Sequence, residues 1–258
     1  MSKDYKNIRY EVEDGVAVIT IDRPPLNVLD VKTIEEIVSA LKAADADKNV
    51  FVLVITGAGD RAFSAGVDVS AHLPDKVGNT LHHFHDMFHM LTDIGKPTIA
   101  KVNGFALGGG CELAIACDMV AASEKAKLGQ PEIKVGAIAT VAAALLPKLI
   151  QRKQAFELLF TGDTISATEA KQLGLVNTVV SPEKLDEAVN ELISKLREKS
   201  PIVLQLVRRA IYRGIDLDFK AALDGVTEVY LNRLIKTEDA VEGLKAFLEK
   251  RKPEWQGK

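Results

Sequence analysis

A glycine-rich junction between an apolar run and a helix-forming stretch is the feature that most constrains this fold. The segment Gly-Phe-Ala-Leu-Gly-Gly-Gly-Cys-Glu covers residues 104–112 and follows an apolar run over residues 98–103. Glycine lets the backbone turn sharply and lets other groups approach closely, because it lacks a Cβ atom. The first turn of a helix has unpaired N–H groups and a partial positive charge. The junction is therefore suited to stabilise negative charge, unless its glycines serve only close packing of the helix.

Two carboxylates accompany this junction. Glu112 enters the first turn of the predicted helix, and Glu132 ends the sequence Gly-Gln-Pro-Glu over residues 129–132. A carboxylate beside an anion-stabilising turn suggests acid–base chemistry on a carbonyl compound. The alternative is that Glu112 only caps its helix and that Glu132 is an ordinary solvated residue.

Strands and helices alternate along most of the chain. Tyr10–Ile21 predicts a hairpin with its turn at Asp14-Gly15, because alternating residues flank that dipeptide. Strands are predicted over 50–56, 98–103, 118–122 and 176–180. Helices are predicted over 30–42, 80–94, 110–117, 142–160 and 166–173. This alternation predicts an α/β architecture with crossover connections.

The C-terminal part of the chain is helical and amphipathic from Pro182 onward, with turns at Ser200-Pro201 and Gly214. We therefore predict an α/β core over residues 1–199 and a helical segment over residues 200–258. That segment lacks an obvious core of its own, and isolated helices of such length are marginal without packing partners. It predicts a closed homo-oligomer.

Composition excludes several classes of function. The net charge of −3 disfavours binding to nucleic acid or to an anionic membrane surface. No apolar run approaches the roughly 20 residues of a membrane span. Cys111 and Cys117 fall on opposite faces of one predicted helix, which disfavours a disulfide. With a polar N-terminus, these features predict a cytoplasmic protein in a reducing compartment.

Further segments carry a more specific pattern. They are Ile21-Asp22-Arg23-Pro24 with Asn27, Arg-Ala-Phe-Ser-Ala-Gly-Val-Asp over 61–68, Phe-Thr-Gly-Asp over 160–163, Gly-Leu-Val-Asn over 174–177 and Glu-Asp-Ala-Val-Glu-Gly over 238–243. With the junction and Glu132, their order and spacing resemble the enoyl-CoA hydratase/isomerase (crotonase) superfamily over nearly the whole chain. The resemblance implies a crotonase-like spiral of ββα units with a C-terminal helical oligomerisation segment that covers neighbouring subunits, in a trimer or a dimer of trimers.

The resemblance implies an enoyl-CoA hydratase, which adds water to a double bond conjugated with an acyl-CoA thioester. Glu112 and Glu132 match the two acid–base positions of the hydratases, and which is acid and which is base stays open. The backbone N–H groups of Val67 and Gly109 match the two donors of the oxyanion hole. No metal or other cofactor is implied, because coenzyme A is part of the substrate.

Contacts with CoA and the acyl group are implied elsewhere in the chain. The turn over residues 23–27 and the segment Ala65–Val69 match the places where the superfamily holds the adenine and the pantetheine. The residues implied in these contacts and in the acyl pocket are Leu26, Ala65, Asp68, Val69 and Ile138. The turn is one residue shorter than usual, which puts its detailed contacts in question.

The segment over residues 135–147 departs from the superfamily pattern. Most hydratases have a glycine-rich stretch there, whereas this chain has alanines and β-branched residues such as Ile138, Thr140 and Val141. By resemblance this segment lines the acyl pocket, and losing its glycines stiffens and narrows it. The pattern looks like a subgroup that includes cyclohexa-1,5-dienecarbonyl-CoA hydratases. It predicts an α,β-unsaturated substrate that is bulkier or more rigid than a short linear enoyl chain, such as a cyclic dienoyl group, unless the alanines enlarge a different part of the pocket.

All five histidines lie within residues 72–89. His82, His85 and His89 fall on one face of the predicted helix. They could form a metal site, the polar margin of an amphipathic helix, or include one histidine near the substrate. No cysteine or carboxylate pattern completes a metal site, so we predict none.

Other functions remain compatible with the pattern. Within the superfamily these are double-bond isomerisation and hydrolysis of the thioester, and outside catalysis a homologue that only binds CoA esters. Isomerases and thioesterase-like relatives often lack one of the two glutamates. The presence of both Glu112 and Glu132 favours a hydratase.

Overall fold

The computed structural model describes residues 5–258, whose strands and helices alternate as predicted. The strands are β1 (Ile8–Glu13), β2 (Val16–Ile21), β3 (Val52–Gly57), β4 (Ala62–Ser64), β5 (Thr98–Val102), β6 (Phe105–Leu107), β7 (Met119–Ser123), β8 (Lys127–Gly129), β9 (Thr164–Ser166) and β10 (Thr178–Val180). The α-helices are α1 (Val31–Ala46), α2 (Val77–Asp93), α3 (Gly109–Ala116), α4 (Thr140–Leu149), α5 (Arg152–Thr161), α6 (Ala167–Leu173), α7 (Leu185–Arg197), α8 (Pro201–Gly214), α9 (Phe219–Asn232) and α10 (Glu238–Leu248).

Two sheets run side by side through the core. The larger has the order β1-β2-β3-β5-β7-β10, and the smaller has the order β4-β6-β8-β9. Three times the chain passes from a strand of the larger sheet to one of the smaller sheet and then into a helix, in β3-β4-α2, β5-β6-α3 and β7-β8-α4. This repeat of ββα units confirms the predicted α/β class and crotonase-like architecture.

The predicted hairpin is confirmed. Strands β1 and β2 pair antiparallel, with Glu13 opposite Val16. Asp14 and Gly15 both have positive φ, at 47° and 78°. Two such residues form the type of turn whose twist matches that of the flanking strands.

The core lies between the larger sheet and its covering helices. All residues of β3 are buried, because a parallel strand in the middle of a sheet is covered on both faces. On one face, α1 packs against β1 and β2 and α2 packs against α1. On the other face, α7 inserts Leu185, Val189 and Ile193 against β3 and its neighbours.

The structure differs from the sequence prediction at several elements. The single helix expected over 142–160 is two helices, because Ile150 and Gln151 adopt extended conformations. Pro147 removes one backbone donor near the end of α4, which weakens continuation of the helix. The three-residue strands of the smaller sheet were not predicted, since segments of that length show no recognisable period.

A buried arginine attaches α8 to the core. Arg208 is 6% exposed, and its Nε donates to Asp118 Oδ2 at 2.8 Å. Its guanidinium also donates to the carbonyls of Leu91 (2.7 Å), Thr92 (2.8 Å) and Ile94 at the end of α2. These carbonyls lack helical partners, so one side chain satisfies several helix-end acceptors.

Helices α8, α9 and α10 leave a wide apolar surface uncovered in the single chain. Phe219, Phe247 and Leu248 are 82%, 81% and 79% exposed. Apolar patches of this kind usually mark an interface. Within residues 5–258 no helix is both long enough and apolar enough to cross a membrane.

Candidate active site

A cavity of about 270 Å³ lies where β4, α2 and α3 meet the segment around residues 131–140. Most of the predicted site residues line it. They are Ala65, Val67, Val69, Gly109, Glu112, Glu132 and Ile138. Leu26 and Asp68 are not part of this lining. Segments that are distant in sequence thus meet around one space.

Glu112 lies on α3 and is 2% exposed. Its carboxylate accepts a hydrogen bond from the backbone N–H of Ala142 at 2.7 Å. Ala142 is in the first turn of α4, whose own N-cap residue, Ala139, makes no side-chain cap. Glu112 therefore caps α4 from another helix, in the way that an N-cap side chain caps its own helix.

Burial raises the pKa of Glu112 to about 7. The N–H groups of Ala142 and Val141 oppose this rise, because they stabilise the carboxylate, whereas the nearby charge of Glu132 adds to it. At neutral pH this carboxyl can both accept and release a proton, as a catalytic acid or base must.

Glu132 lies in the short helical turn Pro131–Val135 and faces the same cavity. Burial raises its pKa as well, opposed by the positive charge of His72 when protonated. Within the described part of the chain, its Oε2 is buried without a hydrogen-bond partner. Both carboxyls thus have raised pKa values and face one cavity, which suits them to acid–base chemistry.

Two backbone N–H groups flank the carboxylates. Val67 follows β4, and Gly109 begins α3 just after β6. The first N–H groups of a helix have no partner within the helix, so that of Gly109 is available. A Cβ atom at Gly66 would come within 3.0 Å of the Gly109 nitrogen, which shows how closely the two loops approach.

Gly108 is the glycine on which the pair of loops most depends. Its φ is 52°, and a Cβ atom there would lie 2.4 Å from Oε1 of Glu132. A side chain at this position would be strained and would also displace the carboxylate. The lack of a side chain at Gly108, the first glycine of the triplet, therefore leaves the space that the Glu132 carboxylate occupies.

The predicted CoA contacts lie at different depths. Leu26 is half-buried beside the cavity, and its carbonyl accepts from Ala65 N–H at 2.9 Å. Val69 and Ile138 are 64% and 73% exposed and lie at the mouth. Asp68 is exposed, and its side chain accepts from the N–H of Ser70 at 2.8 Å.

The histidines do not gather around one point. Among the described residues, no three His, Cys, Asp or Glu side chains are arranged to hold a metal ion. His72 lines the cavity, and His82 lies 3.5 Å from Asp86 on the surface. A hydrogen bond of 2.9 Å joins His85 Nε2 to Thr140 Oγ1.

Sequence reasoning missed several residues of the site. Ala142 contributes only its backbone N–H, so its side chain gives no signal. Phe84 lines the cavity, but in the sequence it is indistinguishable from the other apolar residues of its helix. The positive φ of Gly108 could have been suspected from the glycine triplet, since only glycine tolerates that conformation.

The family model for enoyl-CoA hydratase/isomerase matches residues 11–258. The chain belongs to that family. Among curated members, it is 39% identical over 254 residues to the crotonyl-CoA hydratase of Syntrophomonas wolfei, covering 96% of this chain and 97% of that protein. It is 38% identical to the short-chain-enoyl-CoA hydratase of Clostridium acetobutylicum, covering 97% and 98%.

Solved structures of family members share the fold. The enoyl-CoA hydratase from Bacillus anthracis superposes with a TM-score of 0.93 at 36% identity, covering 98% of this chain and all of that one. Family membership confirms the resemblance drawn from the motifs. The region matched by the family model also includes the residues that surround the cavity.

We expect Gly108→Ala to lower kcat for the hydration of an enoyl-CoA by about a hundredfold, since a displacement of about 1 Å at a catalytic group has that effect. The added methyl would push Glu132 away from its place. Gly174→Ala is the matched control, because Gly174 also has positive φ (89°) but open space around it. Thermal unfolding checks that both variants stay folded, with the larger loss of stability expected for Gly108→Ala because of the clash, and near-normal kcat in Gly108→Ala would contradict the argument.

Proposed function

We propose that this protein is an enoyl-CoA hydratase that acts in acyl-CoA degradation in the cytoplasm. The observation that carries the proposal is the meeting of Glu112, Glu132 and two backbone N–H groups at one cavity. A hydratase needs both carboxyls, one for each proton transfer. It also needs donors for the charge that develops on the thioester oxygen.

The thioester carbonyl would lie against the N–H groups of Val67 and Gly109. Attack of water on the β-carbon moves negative charge onto the thioester oxygen, which then resembles an enolate. Each backbone donor directed at that oxygen contributes about 3–4 kcal/mol of transition-state stabilisation. Because the donors are backbone groups, valine at position 67 is compatible with this role.

The two glutamates would divide the proton transfers. One removes a proton from water as its oxygen bonds to the β-carbon, and the other gives a proton to the α-carbon. One molecule of water is thus added across the double bond, and the pair of carboxyls returns to its starting charge after exchange with solvent. The raised pKa values of both carboxyls suit this sequence, because each can hold or release a proton closer to neutral pH than an ordinary glutamate can.

The substrate itself supplies coenzyme A, and the reaction needs no metal or redox group. The exposed residues at the mouth, Val69 and Ile138, are suited to contact the pantetheine and the acyl group. Leu26, Ala65 and Asp68 extend that surface along the adjoining loops. We propose these five residues as the CoA and substrate contacts.

Glu112→Gln and Glu132→Gln should each lower kcat for hydration by at least about a hundredfold, the usual scale of lost acid–base catalysis. Glu124→Gln, at an exposed position, serves as the control and should keep wild-type activity. The rate of hydration is measured from the loss of absorbance of the conjugated thioester. Rates near wild type in either catalytic variant would refute the assignment.

The products distinguish hydration from the other reactions of the family. A hydratase yields a 3-hydroxyacyl-CoA, an isomerase a shifted double bond, and a hydrolase a free CoA thiol. A homologue that only binds CoA esters yields none of these. The presence of both glutamates favours the first outcome.

The wall formed by Ala137, Ile138 and Thr140 favours a rigid acyl group. A ring loses little conformational entropy on binding, whereas a flexible chain loses about 0.5–1.5 kcal/mol per immobilised group. We therefore expect kcat/KM to be higher for cyclohexa-1,5-dienecarbonyl-CoA than for crotonyl-CoA. A preference for crotonyl-CoA of tenfold or more, about 1.4 kcal/mol, would contradict this expectation. The protein would then be a short-chain hydratase, like the two relatives named above.

The exposed apolar faces of α8, α9 and α10 support a homo-oligomer, which we propose to be a trimer or a dimer of trimers. In this arrangement the helical segment 200–258 covers a neighbouring subunit. Light scattering at micromolar concentration should give a mass of three or six chains. A monomer at that concentration would rule the assembly out.

A further inference from the structure

We propose that His85 and Thr140 are a positioning pair that holds the first turn of α4 against Glu112. Their hydrogen bond, 2.9 Å from Nε2 to Oγ1, joins α2 to the start of α4. The proposal rests on the acid–base role proposed above for Glu112. Neither His85 nor Thr140 transfers a proton in it.

The start of α4 needs such support because it lies between two cavities. Thr140 lines the active-site cavity, and the next residue, Val141, lines a second cavity of about 580 Å³ with Ala144 and Leu145. Ala139 and Ala142 are buried in the core, whereas Thr140 and Val141 between them border these two cavities. A hydrogen bond there therefore has a larger share in fixing its position.

The start of α4 also influences the pKa of Glu112, which burial raises. The N–H groups of Val141 and Ala142 are the donors that oppose the rise of the Glu112 pKa on burial. Thr140 immediately precedes them, so movement of Thr140 moves both donors. Besides the core packing of Ala139 and Ala142, the Glu112 carboxylate also holds this turn, since α4 has no side-chain cap of its own.

Other titratable groups also lie near Glu112. Glu132 faces it across the cavity, and Cys111 adjoins it in α3 with a pKa raised to about 12 by burial. His72 and Lys134 line the same cavity on the side of Glu132. None of these groups takes part in the bond between α2 and α4, so the bond can be tested separately.

The test compares Thr140→Val, which removes the hydroxyl at nearly constant shape, with Thr140→Ser, which keeps it. On the other side, His85→Ala removes the partner, and His85→Gln keeps a hydrogen-bonding side chain. His89→Ala is the matched control, since His89 is exposed one turn further along α2. For each protein, kcat/KM for crotonyl-CoA is measured as a function of pH.

Loss of the His85–Thr140 hydrogen bond weakens the hydrogen bonds that the N–H groups of α4 donate to Glu112. Weaker donation to a carboxylate raises its pKa. The profile of Thr140→Val and of His85→Ala should therefore move to higher pH by about one unit. The double variant should shift no further than either single variant, because both remove the same interaction. His85→Gln and His89→Ala should keep the wild-type profile. Thr140→Ser should keep its position on the pH axis; the height of its profile is not compared, because Thr140 also lines the acyl pocket.

Unchanged profiles in Thr140→Val and His85→Ala would overturn the proposal. So would a uniform loss of rate without a shift, which is the result expected of general loosening, or a failure of Thr140→Ser to keep the position of the profile on the pH axis. Infrared titration of the Glu112 carboxyl, identified as the band absent from Glu112→Gln, gives the same comparison without turnover. If the wild type hydrates no enoyl-CoA, the proposed function fails, and the infrared shift still decides the proposal.

Discussion

The burial of the Glu112 carboxylate is the constraint on which the site depends. A carboxylate removed from water costs several kcal/mol unless hydrogen bonds compensate for the lost solvent. Here the compensation comes from the first turn of α4, through Ala142. Helix α4 in turn receives the cap that its own sequence lacks. Neither helix can move alone without exposing an unpaired group, so the cavity wall and the acid–base group are stabilised together.

A second carboxylate, that of Asp118, plays a similar part at the other end of α3. Asp118 follows that helix and accepts from Arg208 on α8 and, at 2.8 Å, from the hydroxyl of Tyr212. The short helix α3 is thus fixed at both ends by carboxylates that reach other helices. Glu112, the proposed acid–base residue near its start, and the C-terminal helices are therefore connected through the eight residues of this helix.

The sequence predicted the larger sheet, the hairpin and most helices, because long apolar runs and turn dipeptides carry strong signals. It also indicated which carboxylates and loops would meet at one cavity. It did not predict that Glu112 caps α4 or that His85 contacts Thr140. Those contacts join residues 30 and 55 positions apart, and their geometry depends on how the helices pack. Local patterns carry no information on such packing.

The two proposed oxyanion donors follow β4 and β6, which are parallel neighbours in the smaller sheet. Adjacent strands lie roughly 4.7–4.9 Å apart because their backbones share hydrogen bonds. The distance between the two proposed donors is therefore set by the spacing of the strands and not by any side chain. Substitutions can replace the acid–base groups while this distance stays constant, whereas an insertion in either strand would change it. One scaffold can thus acquire new reactions at the carboxyls without rebuilding its anion site.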